Sequence, residues 1–294
     1  MFRYASIDIG SNAVRLLLCN VSEEHGQVHY NKGELIRIPL RLGEDVFSSG
    51  KISAKKIKDL IKTMRAFNLL IDVFNPDAHR ACATASLREA KNGHEVVQKI
   101  AEDSGLKIEI IDGKTEAEII YSNHTEELLN HEKAYLYIDV GGGSTEITLF
   151  NKGIRQASRS FNIGTLRWLQ GKVSKVSWIE MKDWVEEITR NHGQISAIGS
   201  GGNINKIFKM LGRKDKPLLF SQLKELYSEM KPLSIEERME KWGFNPDRAD
   251  VIVPATKIFL GVMRSAGAER IYVPQIGLVD GIVHQLHENR TTKR

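Results

Sequence analysis

Two segments of one design, residues 4–18 and 134–150, most constrain what this chain can fold into. In each segment an apolar strand runs into an aspartate, a glycine-containing turn follows, and a second apolar strand leaves the turn. The segments align with Asp8 opposite Asp139, and both have a glycine two positions later. A repeated strand–turn–strand unit predicts two duplicated domains that face one cleft, whereas a single copy would also be compatible with an ordinary tight hairpin.

The turn in the second segment combines bare backbone with two carboxylates. Gly141–Gly143 can present N–H groups to an anion, because no Cβ blocks a close approach. Asp139 and Glu146 flank this turn, and Asp8 is the matching acid of the first segment. Carboxylate oxygens suit a hard cation, so these three residues predict a Mg²⁺ site, although ligand hardness does not separate Mg²⁺ from Mn²⁺. The predicted phosphate ligands are Ser11, Asn12, Gly142, Gly143, Ser144 and Thr145.

A third glycine-rich turn adds Ser200 and Gly201 to the predicted phosphate ligands. It leads into a helix predicted for residues 204–211, and a helix N-terminus is itself an anion site. Two common nucleotide motifs are absent from the sequence. A dinucleotide fingerprint must end a strand and open a helix, but residues 146–150 alternate in polarity and are too few for a helix. No Walker-type sequence occurs.

Composition restricts the class of protein in which such a site can lie. With 294 residues, 41% hydrophobic and 27% charged, the chain suits two globular domains. No apolar run of about 18 residues occurs, so no membrane span is expected. Cys19 and Cys82 both lie in apolar stretches, which favours reduced thiols. Together with the missing secretion signal, this favours the cytoplasm. A net charge of +5 suits a polyanion, while nucleic-acid binding is not expected without an aromatic-interleaved basic motif.

Strands and helices mix in both halves of the chain, which predicts α/β domains. The clearest helix spans residues 54–74, where apolar residues recur at helical spacing. A polar stretch at 130–133 indicates the boundary, so we predict domain one over 1–127 and domain two over 128–294. The last helix, 277–288, falls in the second range, with packing against domain one as an alternative.

Five motifs stand in the order found in one enzyme family. They are Ile7-Asp-Ile-Gly-Ser-Asn12, Ala83-Thr-Ala-Ser-Leu-Arg-Glu-Ala-Lys-Asn92, Ile110-Ile-Asp-Gly-Lys-Thr-Glu-Ala-Glu118, Ile138-Asp-Val-Gly-Gly-Gly-Ser-Thr-Glu146 and Arg248-Ala-Asp-Val-Ile-Val-Pro254. With them the chain resembles the exopolyphosphatase/guanosine-pentaphosphate phosphohydrolase (Ppx/GppA) family over nearly its whole length. The resemblance implies two actin-like (ribonuclease-H-like) α/β domains with an interdomain cleft. It also implies Mg²⁺-dependent release of terminal orthophosphate from polyphosphate or guanosine pentaphosphate.

Two further site residues depend on this resemblance. Glu116 lies near a helix start, where a carboxylate can orient water or simply favour the helix dipole. The family's catalytic glutamate falls on Glu116, which implies the first role. Arg88 follows the end of a predicted strand. Its guanidinium could bind phosphate through two N–H groups, or it could be a surface arginine at the start of a helix. It matches a family arginine that contacts phosphate near the reaction centre.

The sequence also departs from the family. Thr115, Asn203 and Ala255 replace residues that are common at these positions, and they leave the expected chemistry intact. The segment 275–281 lacks the Arg-Glu pair usual before the final glycine, which puts substrate preference and activity level in question. The chain resembles the short two-domain form, and a homodimer is an expectation from the resemblance alone.

Three functions remain open at this point. The first is hydrolysis of a phosphoanhydride with Glu116 as the base. The second is ATP hydrolysis or phosphoryl transfer to a small molecule, for which an adenosine pocket would be needed. The third is a sensor that binds polyphosphate or a guanosine alarmone without turnover, suggested by the altered segment 275–281.

Overall fold

The computed structural model describes residues 1–122, 133–211 and 216–291, and the chain divides into two compact units. Unit 1 comprises Met1–Asn123 and Gly277–Arg294, and unit 2 comprises His124–Ile276. The predicted boundary between residues 127 and 128 lies outside the described residues. The last helix belongs to unit 1, which is the alternative that the sequence left open.

Each unit begins with three consecutive strands, and helices and further strands follow them. The strands are β1 (Phe2–Ile9), β2 (Val14–Glu24), β3 (Gln27–Ile38), β4 (Ala78–Ala83), β5 (Ile108–Ile110), β6 (Ala134–Val140), β7 (Thr145–Asn151), β8 (Ile154–Phe161), β9 (Ile195–Ser200), β10 (Leu218–Leu219) and β11 (Arg270–Tyr272). The helices are α1 (Leu42–Ser49), α2 (Ala54–Phe74), α3 (Ala85–Glu89), α4 (Gly93–Ser104), α5 (Gly113–Tyr121), α6 (Thr165–Leu169), α7 (Lys175–Thr189), α8 (Gly202–Met210), α9 (Phe220–Met230), α10 (Ile235–Trp242), α11 (Pro246–Ala249), α12 (Ile252–Ser265) and α13 (Leu278–Thr291).

The sheet of unit 1 has the strand order β3-β2-β1-β4-β5. β1 is antiparallel to β2 but parallel to β4, and β4 is parallel to β5. The carboxyl ends of β1, β4 and β5 therefore lie at one edge of the sheet, where ligands bind in open α/β sheets. The turn after β1, helix α3 after β4 and helix α5 after β5 all start from this edge.

Helices α2 and α13 belong to unit 1. α2 confirms the predicted helix over 54–74, and its buried residues are Leu60, Met64, Phe67 and Ile71. α13 packs on β1 and β2, where Val279 and Val283 join a cluster with Tyr4 and Leu17. A Cβ on Gly281 would lie 1.9 Å from the carbonyl oxygen of Ile119, so α13 approaches α5 too closely for any side chain there.

The sheet of unit 2 has the order β10-β11-β9-β6-β7-β8. β6 is antiparallel to β7 and parallel to β9, and β9 is parallel to β11. Read from β8, the order β8-β7-β6-β9-β11 matches β3-β2-β1-β4-β5 of unit 1 strand for strand. β10 is an additional antiparallel strand beside β11. This shared topology confirms the duplication that the two aligned segments predict. Among the described helices, none is long and apolar enough to cross a membrane.

Candidate active site

The first site element is the turn between β1 and β2, which we call the first loop (Gly10–Ala13). Gly10 closes it by donating its N–H to the Ala13 carbonyl at 3.1 Å. The carbonyls of Ser11 and Asn12 accept backbone N–H groups from the start of α1, at 2.9 and 3.0 Å. Because the N–H and C=O of a trans peptide point in opposite directions, the amides of Asn12 and Ala13 point away from α1.

The second loop (Gly141–Ser144), between β6 and β7, repeats this construction. Gly141 donates its N–H to the Ser144 carbonyl at 3.0 Å. The carbonyls of Gly141 and Gly142 accept backbone N–H groups from the start of α6, and the Gly143 carbonyl accepts Nε of Arg167 at 2.8 Å. The N–H groups of Gly142, Gly143 and Ser144 therefore point away from α6. The described residues offer these three amides no acceptor.

Glycine allows the backbone to approach the second loop at two positions. A Cβ on Gly164, just before α6, would lie 2.4 Å from the Gly142 carbonyl oxygen. Gly201, just before α8, has φ 101°, a conformation that side chains disfavour. Its Cβ would lie 3.0 Å from Oδ1 of Asp139. The start of α8 therefore lies against the carboxylate of Asp139, the second-last residue of β6.

In unit 2 two carboxylates lie opposite each other on neighbouring strands. Asp139 and Glu146 are cross-strand partners in the β6–β7 pair, so their side chains leave the same face of the sheet. Glu146 is buried, and its Oε1 accepts the Ser160 hydroxyl at 2.7 Å. Two like charges in this arrangement repel each other, and a bound cation would relieve that repulsion. Oxygen donors of this kind fit a hard divalent cation.

Unit 1 has an ion pair at the matching position. Asp8 and Arg15 are cross-strand partners, and Arg15 Nη1 lies 2.5 Å from Asp8 Oδ2. Burial raises the pKa of the Asp8 carboxyl, and the Arg15 guanidinium partly offsets that effect. One Asp8 oxygen is thus occupied by an internal partner. Its predicted role as a metal ligand stays a prediction, and in the described part of the chain no cluster of three or more His, Cys, Asp or Glu could hold a metal.

The structure brings Arg88 and Glu116 together. Arg88 Nη1 lies 3.6 Å from Glu116 Oε2 and donates to the Ile111 carbonyl at 2.8 Å. Glu116 is 8% exposed and lies in the first turn of α5. Asp112 caps this turn, because its side chain accepts the Thr115 N–H at 2.7 Å. A buried carboxylate beside a guanidinium at the open edge of the sheet can hold a water molecule for attack on phosphorus.

Two of the predicted phosphate ligands use their hydroxyl protons within unit 2. Thr145 Oγ1 donates to the Ile163 carbonyl at 2.5 Å, and Ser200 Oγ donates to the Ile276 carbonyl at 3.0 Å. A hydroxyl has one proton to donate. In this structure the two hydroxyls therefore support the neighbouring backbone, and the role of Thr145 and Ser200 as phosphate ligands stays a prediction.

Sequence reasoning missed three supporting residues of the site. Asp112 follows the N-cap preference for aspartate and could have been found from the helix start beside it. Gly164 and Arg167 act on the second loop from about 20 positions later in the chain, and nothing near them in the sequence indicates which carbonyls they approach.

Comparisons with known proteins agree with this architecture. A model of the Ppx/GppA phosphatase family matches residues 34–290. The crystal structure of the Aquifex aeolicus Ppx/GppA family member is similar, with a TM-score of 0.78, 24% identity and coverage of 98% of both chains. An exopolyphosphatase structure from Cytophaga hutchinsonii gives a TM-score of 0.83 at 21% identity, again over 98% of both chains. The predicted fold class of two actin-like α/β domains is confirmed.

One curated relative is longer than this chain. It is a bifunctional 3-dehydroquinate synthase/phosphatase from Fusobacterium nucleatum subsp. nucleatum, 26% identical over 98% of this chain and 47% of that protein. The chain spans about half the length of this relative.

Proposed function

The chain belongs to the Ppx/GppA phosphatase family, and from that premise we propose that it hydrolyses the terminal phosphoanhydride bond of inorganic polyphosphate or guanosine pentaphosphate. The observation that carries the proposal is the second loop. Its three outward amides, Gly142, Gly143 and Ser144, are aimed by carbonyls that α6 holds from behind. Consecutive amides of this kind form an anion-binding concavity. No base or sugar is needed for such binding, which suits a substrate class defined by its phosphates.

We assign the chemical step to Glu116 and Arg88. Glu116 would accept a proton from water as the water oxygen attacks the terminal phosphorus. The bridging P–O bond then breaks, orthophosphate leaves, and the shortened chain keeps the bridging oxygen. The Arg88 guanidinium stabilises the negative charge on the phosphate oxygens, as forked N–H donors do for phosphates.

We assign the metal to oxygen ligands. Asp139 and Glu146 would hold Mg²⁺, with Asp8 as a further ligand and Mn²⁺ as a competent substitute. When bound, the ion would neutralise phosphate charge during the transfer. The fit rests on the carboxylate pair of the β6–β7 ladder, whose repulsion a cation would relieve. Chelation with EDTA should abolish turnover, and added Mg²⁺ should restore it.

The test measures orthophosphate release from polyphosphate, guanosine pentaphosphate and ATP. Glu116→Gln should lower kcat by about 100-fold to 10,000-fold, the usual contribution of a general base. Glu118→Gln is the matched control, because it removes the same charge two positions later on the same helix. Equal activity in wild type and Glu116→Gln would exclude Glu116 as the base. Release from ATP alone would support an ATPase, and tight binding without release would support a sensor.

A further inference from the structure

Arg167 holds two consecutive carbonyls of the second loop. Its backbone N–H donates to Gly142 at 3.2 Å, and its side-chain Nε donates to Gly143 at 2.8 Å. The carbonyls of Gly141 and Gly142 also accept the backbone amides of Thr165 and Leu166. The Gly143 carbonyl differs from both, because a side chain is its donor.

This difference selects one amide of the loop. The Gly143 carbonyl and the Ser144 N–H belong to the same trans peptide and point in opposite directions. A guanidinium donor makes a stronger hydrogen bond than a neutral amide. Arg167 therefore fixes the direction of the Ser144 N–H, whereas the amides of Gly142 and Gly143 are fixed by backbone contacts that a substitution of Arg167 leaves in place.

The first loop shows the backbone version of the same arrangement. In the aligned segments Asn12 takes the place of Gly143. The Asn12 carbonyl accepts the backbone N–H of Arg41 at 3.0 Å, where Gly143 accepts a side chain. In unit 2 the direction of this peptide thus depends on a residue that can be changed without altering the backbone.

We propose that Arg167 is a positioning residue, which sets the Ser144 amide for the terminal phosphate without touching the phosphate itself. This inference rests on the proposed function of the second loop. It specifies which of the loop amides depends on a side chain.

Two substitutions separate hydrogen bonding from charge. Arg167→Gln removes the cation, and Arg167→Lys keeps it but lacks the planar Nε donor. Either change should lower kcat/KM for polyphosphate by about 10-fold to 100-fold, the usual effect of losing a hydrogen bond to a charged group. Arg190→Gln is the control, because Arg190 is an exposed arginine of the same unit. It should leave kcat/KM within twofold of wild type.

Salt dependence distinguishes positioning from direct contact. A side chain that contacts the polyanion contributes to the fall of affinity with salt, and its removal flattens that dependence. We expect Arg167→Gln to keep the wild-type dependence of KM on salt. A flattened dependence, or full activity in Arg167→Lys, would show direct charge contact and overturn the proposal.

Amide chemical shifts give a readout that does not depend on turnover. In a deuterated sample, inorganic tripolyphosphate should shift the Gly142, Gly143 and Ser144 amide signals of the wild type. In Arg167→Gln, or in Arg167→Lys should the first variant fail to fold, the Ser144 response should fall while that of Gly142 persists. An unchanged Ser144 response would refute the positioning role. If the Ser144 response falls in the variant but the wild type releases no phosphate, the proposed hydrolysis is contradicted while the role of Arg167 is supported.

Discussion

Gly164→Ala should move the second loop without straining the substituted residue. Gly164 has φ −140° and ψ 166°, an extended conformation that alanine adopts readily. Its new Cβ would lie 2.4 Å from the Gly142 carbonyl oxygen, whereas side chains essentially never approach below 3.0 Å. The loop or the start of α6 must therefore shift by about 0.6 Å, the difference between these distances.

The magnitude follows from this shift. A misplacement of about 1 Å can cost about 100-fold in rate, so 0.6 Å should lower kcat/KM on the order of 10-fold, or ~1.4 kcal/mol in the barrier. Overpacking of this kind should also lower the free energy of unfolding by about 1–3 kcal/mol. Orthophosphate release and urea unfolding measure the two effects on the same sample.

Gly193→Ala provides a matched control in the same unit. No atom lies within 4 Å of a Cβ built on Gly193. The free energy of unfolding should stay constant or rise by up to about 1 kcal/mol, because alanine restricts the unfolded chain. Activity should match the wild type. If folded Gly164→Ala kept kcat/KM within twofold of wild type despite reduced stability, the second loop would not bind the reacting phosphate.

Three further perturbations test other parts of the site. Arg88→Lys keeps the charge but loses the guanidinium, whose Nη1 donates to the Ile111 carbonyl and lies beside the Glu116 carboxylate. The kcat should fall on the order of 100-fold with little change in melting temperature. Asp112→Ala should lower both stability and kcat, because the first turn of α5 carries Glu116, whereas Asp112→Asn keeps a capping oxygen and should retain both. The Thr115 N–H lowers the pKa of Asp112 in the folded protein. The ionised Asp112 therefore stabilises the fold at pH values above its pKa in the unfolded chain, and this stabilisation is lost as pH falls through the folded pKa. Urea unfolding between pH 2 and 7 should show this loss in wild type and not in Asp112→Asn. Burial raises the pKa of Cys19 to about 11 and of Cys82 to about 12. Neither thiol should therefore react with a thiol reagent at pH 8 until urea unfolds the chain. Rapid labelling of the native protein would contradict the burial of these thiols.

The sequence predicts the strands and turns of the site because their signals are local. Glycine runs, alternating strands and the alignment of Asp8 with Asp139 are read from neighbouring residues, and the structure confirms the hairpins they predict. The supports behind the loops could not be predicted. Backbone amides of α1 and α6 hold the loop carbonyls, and a backbone donor leaves no residue-type signature. Helix α1 itself was missed, because it is short and follows Arg41 in a left-handed conformation.

The two loops share one backbone arrangement but differ in the charge of the strand residues that flank them. Both close with the same glycine-to-carbonyl bond, at Gly10 and at Gly141. The ladder position after each turn differs, because Asp8 faces Arg15 while Asp139 faces Glu146. In unit 1 the residue opposite the aspartate is a cation that pairs with it, whereas in unit 2 the residue opposite the aspartate is a second carboxylate. From this asymmetry we infer that duplication supplied two loops of one backbone geometry, and that a single substitution at the Arg15/Glu146 position changed the charge beside the second loop.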